Sequence, residues 1–352
     1  MVWDLFCRVI DNFGDIGVCW RLACDLAARG ERIRLWTNDA SALVWMAPER
    51  PANIEVRAWD AAETLSDVGG VVIEAFGCEL PLEVVRTMAQ RPHPPVWINL
   101  EHLSAEAYAA RSHGLPSPQL TGPARGLVKW FFYPGFGPGT GGVIREAGLE
   151  ARQARFDAAA WLSSIGLQRG DGEQLVCLFC YDDSNVPALI EALSATPTLL
   201  LATAGPAARQ VRAALGSTLQ RERLRAAELP WLSQLDFDHL LWACDLSFVR
   251  GEDSWVRAQW AGRPFVWQAY RQDDGAHHAK LGAFLHAHLA DAPRDLAAAL
   301  RAVWAGWNGA AFGPMALPVL GEWREHARHW RRSLARQPDL SAQLLGFARE
   351  KR

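Results

Sequence analysis

Asp11 and Asp15 lie four positions apart in the stretch LFCRVIDNFGDIG, residues 5–17, where an apolar run ends and the two carboxylates bracket Asn12-Phe13-Gly14. A strand that passes through a glycine-bearing turn into a helix commonly offers backbone N–H groups to a phosphate. Two carboxylates at such a turn repel phosphate. Either this loop is not the phosphate site, or its carboxylates act on something cationic. A helix cap plus a turn aspartate would use the same residue types. The second stretch with chemical content is DLSFVRGEDSWVRAQWAGRPFVWQAY, residues 245–270. A strand ends at Arg250-Gly251, a helix opens at Glu252-Asp253-Ser254 and stops at Gly262, and another strand begins at Pro264. That junction presents N–H groups and a positive dipole end suited to a diphosphate, with the Ser254 hydroxyl as an added hydrogen-bond donor. The same acidic first turn could do no more than cap its own helix.

Other reactive residue types read as structural. Cys177 and Cys180 match C-x-x-C, but their flanks QLVCLFCY describe a strand, on which positions three apart point to opposite faces. They are expected to be reduced core thiols, like the rest of the seven cysteines, whose odd number and apolar settings do not suit a disulfide framework. His277, His278, His286 and His288 have no accompanying cysteine or carboxylate set at metal-ligand spacing, and are expected on helix surfaces. Asp236-x-Asp238 has the spacing of a metal-binding pair but falls at the start of a helical pattern, so no metal is expected. Trp20, Trp161, Trp242, Trp260, Trp304 and Trp330 sit in helical patterns and are expected in the core.

The elements that must position these residues alternate along the chain. WDLFCRVI is a strand. A helix over 16–29 follows, with Cys19, Leu22, Ala23, Leu26 and Ala27 at core-facing spacing and Gly30 as its stop. RIRLWTN, IEVRAW, GVVIEAF and PVWINLE continue the strands, and strand–helix alternation implies a parallel, doubly wound sheet. Residues 113–142 interrupt it. HGLPSPQLTGPARG and FFYPGFGPGTGG are too dense in glycine and proline for regular helices or central strands, and predict a long loop or domain margin. The aromatic run 130–133 between them is expected to be buried or to line a cleft. From about residue 174 the alternation resumes with QLVCLFCY, TLLLATAG, LRAAEL, DLSFVR and PFVWQAY as strands. The chain therefore carries two Rossmann-like halves whose ligands belong beyond the carboxyl ends of their strands, facing each other across a cleft.

The totals agree with that reading. The chain has 352 residues, half of them hydrophobic, 21% charged, with a net charge of −3. This leaves little electrostatic support for nucleic-acid binding. No apolar run reaches the roughly 18 residues of a membrane span, and the start lacks a signal-peptide pattern, so a cytoplasmic protein is expected.

The strand, glycine turn, helix and Gly-x-Pro entry at residues 246–264 resemble the nucleotide-sugar half of GT-B glycosyltransferases. Taken together and in order, FCRVIDNFGDIGVCWRLACDLA, LFCYDD and LDFDHLLWACDLSFVRGEDSWVRAQWAGRPFVWQAY are similar to the bacterial protein-arginine rhamnosyltransferases that modify elongation factor P. The resemblance runs over nearly the whole chain. It implies an α/β fold of GT-B type. An N-terminal acceptor-binding domain spans 1–155 and a nucleotide-sugar-binding domain 156–320. Carboxyl-terminal helices over 321–352 have the first domain as a place to pack back. It implies an inverting enzyme that moves L-rhamnose from dTDP-β-L-rhamnose to a guanidino nitrogen of an arginine in elongation factor P, with no metal or other cofactor. The opening puzzle then resolves, because the first loop faces a cationic arginine. Free arginine has a pKa of about 13.8, so full deprotonation at pH 7 costs roughly 9 kcal/mol. A carboxylate that takes the proton as the bond forms avoids that cost, and a second can hold and polarise the guanidinium. Asp15 is assigned as general base and Asp11 as orienting partner, and the sequence leaves the exchange of those roles open. For the sugar nucleotide the resemblance implies Phe179 and Tyr181, with Gln234 and Phe237 at the thymine, Phe237 by stacking. Arg250, Glu252, Asp253, Ser254 and Tyr270 surround diphosphate and sugar. Asn12 contacts the rhamnose or holds its loop. Phe13 stands where tyrosine is frequent in the family and Trp255 where phenylalanine is. Both changes keep an aromatic ring.

Two other readings compete. A nicotinamide-dependent oxidoreductase would want G-x-G-x-x-G after the first strand, and the loop instead has glycines three apart among carboxylates, although Asn38-Asp39 does follow the second strand. A non-catalytic module binding a translation factor would ignore sugar nucleotides.

Overall fold

The computed structural model describes residues 1–10, 13–272, 275–309 and 314–352, so Asp11 and Asn12 lie outside the described residues. The chain divides into two compact units: Met1–Ala147 with Ala335–Arg352, and Gly148–Leu334.

The first unit is built on seven strands, β1 Val2–Cys7, β2 Arg32–Thr37, β3 Ile54–Ala58, β4 Val71–Ala75, β5 Val96–Leu100, β6 Pro116–Pro118 and β7 Val128–Phe132. Their order is β3-β2-β1-β4-β5-β7-β6, and only β6 runs antiparallel to its neighbour. Strands buried on both faces read as continuous apolar runs, and every residue of VVIEA in β4 and VWINL in β5 is buried. The polar exceptions are bonded, as buried groups must be. Asp4 accepts from Arg34 Nε at 2.6 Å, Trp36 Nε1 at 2.8 Å and Gly69 N at 2.6 Å. Glu74 accepts from Trp97 Nε1 at 3.2 Å and Lys129 Nζ at 3.3 Å. The helix Gly14–Ala28 joins one core layer with β1 and with Leu340, Leu344, Leu345 and Ala348 of the last helix, Leu340–Glu350. Phe6, Trp36, Trp59, Val84, Met88 and Trp97 form the other layer.

The glycine- and proline-dense segment needs a correction. Its aromatic run is an interior strand, since β7 lies between β5 and β6. Pro116 and Pro118 occupy the edge strand β6, the place in a sheet that tolerates a missing N–H. Ladder bonds come from the flanking residues, with Phe131 N donating to Leu115 O at 3.0 Å and Gln119 N to Leu127 O at 2.9 Å. Gly141 is required by contact, because a Cβ there would stand 2.3 Å from the buried Phe132 ring.

The second unit has β8 Gln174–Leu178, β9 Thr198–Ala202, β10 Gln220–Arg221, β11 Leu224–Glu228, β12 Leu246–Arg250 and β13 Phe265–Gln268, in the order β10-β11-β9-β8-β12-β13. All pairs are parallel except β10 with β11. Trp255 stacks on Trp267 with centroids 3.8 Å apart, and Trp304, Trp307 and Trp323 are fully buried beside them in the same unit. Arg257 is also buried and bonds both oxygens of Asp238, at 2.8 and 2.7 Å, joining helix Asp253–Ala261 to helix Gln234–Ala243.

The six tryptophans expected in the core are all buried. All seven cysteines are free thiols, and burial pushes the Cys180 thiol up to about 12. The histidines depart from expectation. All four ride on helix Ala276–His288, but His277 and His288 are buried. His288 stacks on Phe284, with centroids 5.3 Å apart, and meets His326 at 4.8 Å. The reason is register, since His288 falls one turn after Phe284 and shares its core-facing side.

Candidate functional site

Among its parallel strands each sheet reverses its order once, and ligands of open α/β sheets collect outside the carboxyl ends of the strands at that point. In the first unit the reversal lies between β1 and β4. Asp15 sits there, in the first turn of helix Gly14–Ala28, and is 9% exposed. Its Oδ2 accepts from Ile10 N at 2.9 Å, which ties the carboxylate to the end of the strand–helix loop. Phe13 stands at the N-cap of this helix, and the helix dipole favours negative charge in the first turn. Phe13 packs edge-on to Trp45 at 5.2 Å, and Asn38 Oδ1 accepts from Val9 N at 2.7 Å. Asp15 is thus held on a loop anchored from both sides.

Along the same carboxyl edge stand residues that the sequence gave no reason to select. Phe76, left-handed at φ +57°, stacks on His102 with centroids 4.5 Å apart. Glu101, just past β5, accepts from Asn99 Nδ2 at 2.7 Å, and burial raises its carboxyl above the usual range. In the sequence these residues are indistinguishable from the end of a strand.

In the second unit the reversal lies between β8 and β12, and most of the expected residues converge on it. The Arg250 guanidinium lies over the Phe179 ring at 4.5 Å and the Tyr181 ring at 4.4 Å. Phe179 meets Phe237 edge-on at 5.4 Å, and Tyr181 meets Tyr270 at 5.5 Å. Tyr270 is 58% exposed and Phe237 half-buried, so ring surface remains available. The Arg250 side chain is buried, and its Nε has no hydrogen-bond partner among the described residues. A buried, unpaired guanidinium N–H is costly, and this one asks for an anion. Gln234 Nε2 donates to Asp253 Oδ2 at 3.1 Å, linking the first turns of two helices. Gly251, at φ +68°, makes the turn between β12 and its helix in a conformation that favours glycine.

Two expectations change. Ser254 does not present its hydroxyl outward. Its Oγ is buried, donates to the Arg250 carbonyl and accepts from Arg250 N at 3.2 Å, so the serine closes the turn upon itself. Glu252 carries a cationic partner, with Lys280 Nζ 3.2 Å from its Oε1. Sequence reasoning missed Lys280, which lies 28 positions away. It also missed Gln268, whose buried Oε1 accepts from Tyr181 N at 2.9 Å and Ser184 Oγ at 2.8 Å and fixes the loop after β8. A strand-end glutamine was the available signal. Among the described residues no group of three or more His, Cys, Asp or Glu side chains is arranged to hold a metal ion, and no helix is long and apolar enough to cross a membrane.

Comparison with known proteins adds to this geometry. Residues 3–349 match the family model of the elongation factor P (EF-P) rhamnosyltransferase EarP. A protein-arginine rhamnosyltransferase of Pseudomonas aeruginosa is 44% identical over 374 aligned residues, covering 98% of each chain. One from Neisseria meningitidis is 36% identical, covering 97% of this chain and 96% of its own. A solved structure described as the structural basis for EarP-mediated arginine glycosylation of translation elongation factor EF-P matches at a TM-score of 0.71 and 30% identity, covering 100% of this chain and 99% of its own. A UDP-glucosyltransferase from Polygonum tinctorium shares the fold alone, with a TM-score of 0.54 at 11% identity.

Proposed function

The chain belongs to the elongation factor P rhamnosyltransferase family, and from that premise we infer that it transfers L-rhamnose from dTDP-β-L-rhamnose to an arginine guanidino nitrogen of elongation factor P, with inversion. The acceptor being a translation factor, the enzyme works in the cytoplasm. The first unit is the acceptor side and the second the nucleotide-sugar side. The observation that carries the second assignment is the buried Arg250, clasped between Phe179 and Tyr181 with an unpartnered Nε, at the strand reversal of its sheet.

The residues then have distinct work. Phe237 and Gln234 take the thymine, Phe237 by stacking. Arg250 faces the diphosphate together with the positive end of helix Asp253–Ala261. Glu252, Asp253 and Tyr270 meet hydroxyls and the sugar, and Ser254 shapes the turn that presents them. In the reaction the guanidino nitrogen attacks the anomeric carbon from the face opposite the leaving group. The N–C bond forms, the C–O bond to the diphosphate breaks, and dTDP departs with the electron pair. Asp15 takes the proton that the nitrogen loses as the bond forms. Asp11 holds the guanidinium through paired N–H contacts, and Asn12 contacts the rhamnose or holds the loop.

The test is intact-mass analysis of elongation factor P after incubation with the protein and dTDP-rhamnose. A gain of one deoxyhexose on an arginine is expected. An unchanged mass would overturn the reading.

A further inference from the structure

We propose that Lys280 is a phosphate-binding cation of the sugar-nucleotide site, held by Glu252 until the diphosphate displaces that carboxylate. The inference rests on the sugar-nucleotide reading of the second unit and adds to it a residue and an exchange of partners.

The argument begins with charge. The turn after β12 carries two carboxylates, Glu252 and Asp253, at the helix end where a diphosphate would approach. Arg250 supplies one cation there and its position is fixed by two rings. With Arg250 alone the turn would be net negative, and a diphosphate would meet repulsion. Lys280 is a cation that offsets the excess, its Nζ 3.2 Å from Glu252 Oε1. Both side chains are partly shielded, at 25% and 17% exposure, so the pair is screened less than one fully in water.

Chemistry then separates the two cations. A guanidinium packed between rings cannot follow a moving phosphate. An ammonium on a four-carbon stem can, and it has three N–H donors. One of them is donated to Glu252 Oε1 at 3.2 Å. Phosphate oxygens compete for the same ammonium with a higher charge. As Lys280 turns to phosphate, the Glu252 carboxylate is left to accept from a hydroxyl of the ribose or sugar. One ion pair thereby becomes two ligand contacts. The Ser254 hydroxyl donates instead to the Arg250 carbonyl.

Calorimetric titration of thymidine, TMP and TDP into the wild type, K280M, K280R, E252Q and E252Q/K280M tests this. K280M is expected to bind thymidine like the wild type, which also reports an intact fold, and to lose about 10- to 100-fold in TDP affinity, the range for hydrogen bonds to charged groups. K280R should recover part of the loss. The loss from K280M should persist in the E252Q background. Wild-type TDP affinity in K280M would overturn the inference. So would a K280M loss that vanishes in the E252Q background, since Lys280 would then serve only to neutralise Glu252. Failure of the wild type to bind TDP would instead remove the nucleotide site, and the inference with it.

Discussion

Asp15, the proposed general base, is held in place by burial and by a backbone donor. One oxygen accepts from Ile10 N, so an asparagine can keep that bond through its own carbonyl oxygen. Asp15→Asn therefore removes the proposed proton acceptor while retaining that bond to the loop. Loss of a general base costs about 10²- to 10⁴-fold in rate. The expected result is transfer reduced by that factor with unchanged TDP affinity, read by single-turnover assay and calorimetry. Near-normal turnover would make Asp15 a purely structural residue. The sequence places Ser254 at a phosphate-facing turn, yet its hydroxyl bonds the preceding strand end. Residue type and spacing located the turn but could not decide which way a short side chain rotates, because inward and outward rotamers leave the same sequence signature.

At the level of elements, the strands and the two strand–helix turns were legible because their signals are local: apolar runs, glycine stops and acidic first turns. The partners that hold them were not. Asp238 and Arg257 look like unrelated surface charges on two helical patterns, and only packing shows that they form a buried bidentate pair. The same two helices touch again where Gln234 meets Asp253, so the pair sets the spacing of two proposed nucleotide contacts. Removing one member strips both bonds of that pair from a charge that stays buried, and breaking a buried pair in this way costs about 3–5 kcal/mol. Asp238→Ala should lower the denaturation midpoint of the second unit accordingly. A midpoint within error of the wild type would show that water or a neighbouring group takes over the guanidinium. The interior strand β7 was obscured for a related reason, since neighbouring prolines and glycines dominate the local pattern while its place in the sheet is set by pairing with β5 and β6.

For the molecule as a whole, the chain divides into two compact units, so unfolding need not be a single transition. Only the second unit carries buried histidines packed against one another. Burial holds His288 well below its usual pKa, and His326 close by adds to the effect. Burial also lowers His326, with His329 acting in the same direction and Asp291 and the His288 backbone opposing it. His288 Nδ1 and His326 Nε2 have no hydrogen-bond partners among the described residues. Trp304, Trp330, Phe265 and Phe284 surround the His288 ring and offer a proton no polar shelter. The sign follows from linkage. The unfolded chain binds protons at these sites near pH 6.5 while the folded unit resists them. Stability is therefore complete above that pH and declines as pH falls from about 6.5 toward the lower folded values. Thermal melts between pH 7.5 and 5 should show the transition of the second unit moving down, with that of the first unit shifting less. His288→Phe replaces the ring with one of similar shape that cannot be protonated, so it should flatten the acid limb of the second transition while leaving its position at pH 7.5 nearly unchanged. An acid limb of undiminished slope in that variant would assign the pH dependence to carboxylates instead.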